Sequence, residues 1–231
     1  MKDFYLFFDL DGTISDSAEG IINSVIYALT KMGLEAPPRE KLYHFIGPPL
    51  IRTFCEDYHL SPEKGLETVE FYREYYNVKG IYECRMYDGI ENVLRELQRE
   101  GFGLVLATSK PTVMARRVIE YFGLSDCFDL ISGPDLDGAR NEKHEVIAYA
   151  MDQLGITDPR RCVMIGDRKY DALGAKICGM DCVGVLWGFG SKQELTEAGV
   201  AETVEFPREL PDVLQKFLKK IQKNEKILKK Q

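Results

Sequence analysis

The sequence predicts an α/β protein: a doubly wound, Rossmann-like parallel sheet with an inserted α-helical cap. Three observations lead there. Short apolar runs recur that are too brief for helices, amphipathic helical patterns alternate with them, and one long early stretch carries helical patterns alone.

The first run, residues 4–8 (Phe-Tyr-Leu-Phe-Phe), is aromatic and unbroken, which suits a strand buried on both faces of a parallel sheet. Similar runs follow at residues 103–108, 162–166 and 182–186, with a weaker one at 128–132. Between them the apolar positions take helical spacing: Ile90, Val93, Leu94 and Leu97 before Gly101; Ala115, Val118 and Ile119 before Gly123; Val146, Ile147, Ala150 and Leu154 before Gly155. The exception is the stretch after the first run. Helical patterns at residues 21–32, 50–58 and 66–76 are separated by Pro37-Pro38, Pro48-Pro49 and Pro62, with no strand signal. The predicted division is therefore a core from residues 1–15 and 86–231, and a helical cap from 16–85. The aromatic residues of the cap are expected mostly to fill its small core.

With 45% hydrophobic and 29% charged residues, the 231-residue chain has the composition of an ordinary globular protein. A net charge of −7 argues against nucleic acid as a partner. Seven lysines against one glutamate over residues 216–231 concentrate positive charge at the end of the chain; Leu214, Phe217, Leu218 and Ile221 mark this as a packed helix with a solvated basic end. Asp9 cuts the N-terminal apolar run far short of a signal or membrane segment, so no membrane partner and a cytoplasmic location are expected. The six cysteines are scattered without a Cys-x-x-Cys pair, as suits a reducing compartment. A monomer and a homodimer are both compatible with the chain.

In an open α/β sheet, ligands bind beyond the carboxyl ends of the strands. The first run ends in Asp9-Leu-Asp11-Gly-Thr13, the second in Thr108-Ser109-Lys110-Pro111, and the third in Gly166-Asp167-Arg-Lys-Tyr-Asp171, while Lys143 opens a helix upstream of the third. Carboxylates gathered on one rim repel unless a hard cation and an anion join them. These motifs, in this order and with a helical insertion after the first, resemble the haloacid dehalogenase superfamily, in particular its phosphoglycolate-phosphatase-like and 5′-nucleotidase-like branch.

The resemblance implies a phosphatase acting on small phosphate monoesters, with phosphoglycolate or a nucleoside 5′-monophosphate favoured. Asp9 would be the nucleophile that forms an aspartyl-phosphate, and Asp11 the general acid and base. Mg²⁺ would be held by Asp9, Asp167 and the backbone carbonyl of Asp11, with Asp171 and Thr13 supporting from behind. Thr108, Ser109 and Lys143 would meet the phosphoryl group. Arg52, after the stiff Gly47-Pro48-Pro49 turn, is a candidate substrate contact from the cap. Lys110, beside Pro111, reads as a surface residue. A phosphomutase on the same scaffold, similar to β-phosphoglucomutase, is the alternative; a receiver-type signalling domain shares the acids but not the insertion. All of this requires the carboxyl groups of Asp9 and Asp167 to be close enough to share one cation.

Overall fold

The computed structural model describes residues 2–136 and 139–228, apart from the side chains of residues 220 and 222–228. Strand β1 (Tyr5–Phe8) is followed by a two-residue strand β2 (Ser15–Asp16), helices α1 (Ala18–Lys31), α2 (Leu50–Tyr58) and α3 (Pro62–Tyr76), and the short strand β3 (Arg85–Met86). The chain then alternates through α4 (Ile90–Arg99), β4 (Gly103–Ala107), α5 (Thr112–Tyr121), β5 (Leu130–Ser132), α6 (Lys143–Gln153), β6 (Cys162–Gly166), α7 (Lys169–Ile177), β7 (Asp181–Val185), α8 (Lys192–Ala198), β8 (Glu202–Val204) and α9 (Leu210–Leu228).

Six strands form one parallel sheet in the order β5-β4-β1-β6-β7-β8. The unbroken apolar runs are explained by burial on both faces. Leu6 and Phe8 of β1, Leu104 and Leu106 of β4, and Val163 and Ile165 of β6 join one core layer; Tyr5 and Phe7, Val105 and Ala107, and Cys162 and Met164 join the other. At Gly103 the sheet has no room for a side chain, since a Cβ there would sit 2.1 Å from the Tyr5 ring. Because β4 and β6 lie on opposite sides of β1, the helical connections diverge there and open a crevice at its carboxyl end.

The helical segment leaves and returns through a small ribbon. β2 and β3 pair antiparallel, Ser15 opposite Met86 and Asp16 opposite Arg85, and Arg85 closes the pair with an ion pair to Asp16 at 3.0 Å. This ribbon has no hydrophobic signature, because its strands are only two residues long. Helix α3 starts four residues before the apolar pattern suggests: Ser61 caps it by accepting from Lys64 N, and Pro62 fills the first turn. Phe45 and Phe54 are buried in the segment's core as expected, whereas Tyr72 and Tyr76 are buried where it faces the sheet. Arg117 of α5 ties the end of α3 to the core by donating to the Asn77 carbonyl at 2.8 Å and to the Tyr82 hydroxyl at 3.2 Å.

Leu214 and Phe217 of α9 are buried, and Leu218 and Ile221 pack against the same layer. Most of the expected solvated lysine-rich end lies outside the residues whose side chains are described. Among the described residues no helix is long and apolar enough to cross a membrane.

Candidate active site

Asp9 immediately follows β1, and its N–H continues the ladder by donating to the Ile165 carbonyl at 3.0 Å. Its Oδ1 accepts from Leu10 N at 2.8 Å. The chain then turns at Gly12, where a φ of +84° and the 2.2 Å that would separate an added Cβ from Asp167 Oδ2 exclude a side chain. Asp167 comes from the end of β6 and Asp171 from the first turn of α7, and both are completely buried. One carboxylate oxygen from each of Asp9, Asp167 and Asp171 lies within 4.8 Å of the others, so the condition on Asp9 and Asp167 is met.

Lys143 supplies the counter-charge. A capping box of Glu142 and Glu145 fixes the start of α6, so the first residue of the helix projects into the cluster. Its Nζ donates to the Ala107 carbonyl at 3.0 Å and forms ion pairs with Asp9 Oδ1 at 3.0 Å and Asp171 Oδ1 at 2.9 Å.

Burial and the neighbouring acids together distort the ionisation of the cluster. The Asp9 carboxyl is pushed up to about 6, chiefly by burial and further by Asp171, against the opposing pull of Lys143. Asp167 is raised well above the ordinary range by burial, then by Asp171 and Asp9. Lys143 is raised as well, because Asp171 and Asp9 outweigh the effect of its own burial. An oxygen-only donor set that is buried and crowded with acids beyond what one lysine balances fits a hard divalent cation.

A pH dependence follows, with a definite sign. Acids raised in the native state bind protons more tightly there than in the unfolded chain, so stability falls as pH rises from the ordinary carboxylate range through the raised values. For Asp9, the rise from 3.8 to about 6 corresponds to a contribution on the order of 3 kcal/mol. Metal-free protein should therefore lose melting temperature between pH 4 and 7, and added divalent cation should raise it more at pH 7.5 than at pH 5. Equal gains at the two pH values, measured by calorimetry, would place the cation away from these acids.

The remaining expected residues fall around this cluster. Thr13 Oγ1 reaches Asp167 Oδ1 at 3.5 Å. Thr108 is buried at the end of β4, with its hydroxyl accepting from Lys110 N at 3.2 Å, and Ser109 is half-buried at the cavity wall. Arg52 is not brought to the site. It is exposed on α2, paired with Glu56 at 2.9 Å, and is not among the residues lining the cavity, because the first turn of α2 aims it at solvent while Leu50 and Ile51 face inward.

Lys110 is the main correction. It is only 8% exposed, and its Nζ donates to both oxygens of Asp11, at 2.8 and 2.6 Å, while lying 5.1 Å from the centre of the Tyr76 ring. A lysine three residues beyond the strand gives no periodic signal of burial; the helical segment descending onto it makes it an interior residue. A second omission is the loop after β7. Phe189 N donates to Asp167 Oδ2 at 2.7 Å, Trp187 Nε1 donates to the Thr13 carbonyl at 3.0 Å, and a Cβ at Gly188 would sit 2.4 Å from that of Asp167. The signal was the run Trp187-Gly-Phe-Gly190 at a strand end, but it works through backbone N–H and close approach rather than through polar side chains.

Above the cluster is a cavity of about 490 Å³ between the sheet edge and the helical segment. Its floor includes Asp9, Asp11, Thr108 and Lys110, and its walls are largely apolar, with Ile21, Leu50, Val69, Tyr72, Tyr76 and Met114.

A buried acid cluster paired with one lysine, at the carboxyl edge of a doubly wound sheet and roofed by helices, marks an α/β protein whose site can take a cation together with an anionic group. The chain belongs to the haloacid dehalogenase-like hydrolase family, whose profile matches residues 6–185, and within it the chain is a phosphatase, a phosphoric monoester hydrolase. It is 44% identical over 190 residues to a 5′-nucleotidase of Pseudomonas aeruginosa, a match covering 82% of this chain and 86% of the relative. It is 40% identical over 183 residues to the tyrosine-protein kinase PtkA of Mycobacterium tuberculosis, of whose length the match covers 62% and of this chain 79%. The crystal structure of a predicted phosphatase from Clostridium acetobutylicum superposes with a TM-score of 0.89 at 43% identity, covering 93% of this chain and 100% of that one.

Proposed function

We propose that the protein is a magnesium-dependent phosphatase of nucleoside 5′-monophosphates that acts through an aspartyl-phosphate on Asp9, with residues 16–85 as its cap, in the cytoplasm. The observation that carries this reading is the placement of Asp9 at the end of β1, within 4.8 Å of Asp167 and Asp171 and bound to Lys143. Oδ1 of Asp9 is held by Leu10 N and Lys143, which fixes the orientation of the carboxylate for attack on phosphorus.

In the first step a bond forms from Asp9 to phosphorus and the bond to the ester oxygen breaks, with that oxygen taking a proton from Asp11. In the second, water attacks the same phosphorus, Asp11 takes the proton, and Asp9 returns to a free carboxylate. Lys110 keeps Asp11 beside the cavity between these events, and substrate entry must draw one Asp11 oxygen away from it. Thr108, Ser109 and Lys143 would bind and orient the phosphoryl oxygens. Magnesium, held by Asp9, Asp167 and the Asp11 carbonyl, would supply positive charge for those oxygens.

The cavity favours a nucleoside over glycolate as leaving group. Its volume of about 490 Å³ falls among sites for drug-sized molecules, ~300–1,000 Å³, and its apolar, aromatic walls suit a flat ring better than a small carboxylate. Asn77, with its Oδ1 buried and unpartnered, lines the same space and offers a polar contact. Phosphate release from nucleoside 5′-monophosphates should exceed that from phosphoglycolate by at least about tenfold in kcat/KM. A reversed order rejects the nucleoside reading, and phosphoryl retention on sugar phosphates without net release would favour the mutase alternative.

The Asp11→Asn variant should still transfer phosphoryl from an activated aryl ester to Asp9, whose leaving group needs no proton, yet turn over slower by about 10²–10⁴. A burst of aryl alcohol without steady turnover is the expected trace. Steady turnover at the parental rate would remove Asp11 from the acid and base role.

A further inference from the structure

The loop that holds Asp167 also reaches the cap. Arg168, the next residue, extends its side chain away from the acid cluster and donates from Nη1 to the Ile46 carbonyl at 2.6 Å. Its Nε is held by Glu194 Oε1 at 3.0 Å, and the same carboxylate oxygen accepts from Lys169 N at 2.9 Å. The guanidinium is therefore braced from the core side by α8 and spends its outward donor on a backbone carbonyl of the cap. Its side chain is only 14% exposed, so the contact is shielded from water.

The position of that carbonyl matters. Ile46 is buried, and Gly47, Pro48, Pro49 and Leu50, which follow it, line the cavity. Gly47 has a φ of +111° and packs against the Arg168 side chain, which a Cβ there would approach to 3.6 Å. Two prolines then make the chain stiff up to the start of α2. A second cap-to-core contact lies alongside: the Tyr43 ring is 6.2 Å from that of Phe189, whose N–H binds Asp167. The connection between α1 and α2 thus rests on the two segments that enclose Asp167.

We propose that Arg168 is a positioning residue for substrate choice: a strut, braced by Glu194, that sets the height of residues 46–50 above the cavity and so makes the wall that a large leaving group must meet. This rests on the phosphatase reading for its kinetic part only. The guanidinium donates to Glu194 and Ile46 and not to the acids, so a substrate too small to reach the cap should sense its loss far less than one that fills the cavity. A substrate that fills the cavity should lose binding, because the wall it packs against is no longer held.

The test is Arg168→Met, which keeps the aliphatic stem and removes both donors, followed in parallel by hydrogen exchange and by kinetics. Amides of residues 46–58 should exchange at least about fivefold faster than in the parent while those of β1 and β6 are unchanged. KM for a nucleoside 5′-monophosphate should rise about tenfold, with kcat/KM for acetyl phosphate within about threefold of the parent. Unchanged exchange over 46–58 overturns the strut, and so does an equal loss on both substrates, which would move the residue's effect into the acid cluster. If the parent hydrolyses neither compound, the phosphatase reading fails while the exchange result still decides the strut. Should Arg168→Met not fold, Glu194→Gln, which weakens the brace but retains an acceptor for Lys169 N, should give the same pattern at smaller amplitude; no change in exchange there counts equally against it.

Discussion

Asp9→Asn is expected to abolish turnover, by about 10⁴-fold or more, while leaving the metal-free protein at least as stable as the parent at pH 8. An amide oxygen is not a competent nucleophile toward phosphorus, and no neighbouring acid can take over, because Asp167 and Asp171 are completely buried and Asp11 is held by Lys110. The stability half follows from the raised acid. Asp9 ionises only against burial and the field of Asp171, so replacing it with a neutral isostere removes a repulsion that the native fold carries at high pH. Steady-state assays on an aryl phosphate and urea unfolding at pH 8 without divalent cation would read the two effects. Residual turnover within about a hundredfold of the parent would transfer the nucleophile's role elsewhere.

Lys143→Ala should have the second largest effect, and it should act on both rate and fold. Loss of about 10³ in turnover is expected, because the same ammonium holds Asp9 and would face the phosphoryl oxygens of a bound substrate. The structural cost is the larger surprise for a residue that opens a helix. Lys143 is the cation in direct contact with Asp9 and Asp171 among the described residues, so its removal leaves buried charge uncompensated, at a cost of about 3–5 kcal/mol. The penalty should shrink toward pH 5, where the acids take up protons instead, and should also shrink with added divalent cation. Denaturation curves that coincide with the parent at pH 8 would show that the acids are neutral without it.

The sheet was legible because a strand buried on both faces has to be apolar at every position; β1, β4 and β6 each satisfy that in an uninterrupted run, and β7 does so from Cys182 onward. Helix ends were legible from Gly101, Gly123 and Gly155, which follow the last apolar position of α4, α5 and α6. The edge strand β8 and the ribbon of β2 and β3 were not, since three or fewer residues carry too little pattern to separate a strand from a turn. Among the candidate site residues, Asp9, Thr108 and Asp167 stood out in the sequence because strand ends and ligand sites coincide in this architecture.

Lys110 and Arg52 show the opposite case. Each is a cation next to a proline-bearing turn, and their sequence surroundings do not distinguish them; one is clamped on Asp11 beneath Tyr76, and the other points to solvent. The amino-acid sequence by itself determined the sheet, the helical insertion and the acids that ring its carboxyl edge, because local periodicity and strand ends are written within a few consecutive residues. Only the tertiary structure decided which cations meet those acids, how Phe189 and Gly188 close around Asp167, and what shape the helical segment gives the cavity. Those features depend on segments far apart in the chain coming within a few ångströms, and no pattern of neighbouring residues encodes such a distance.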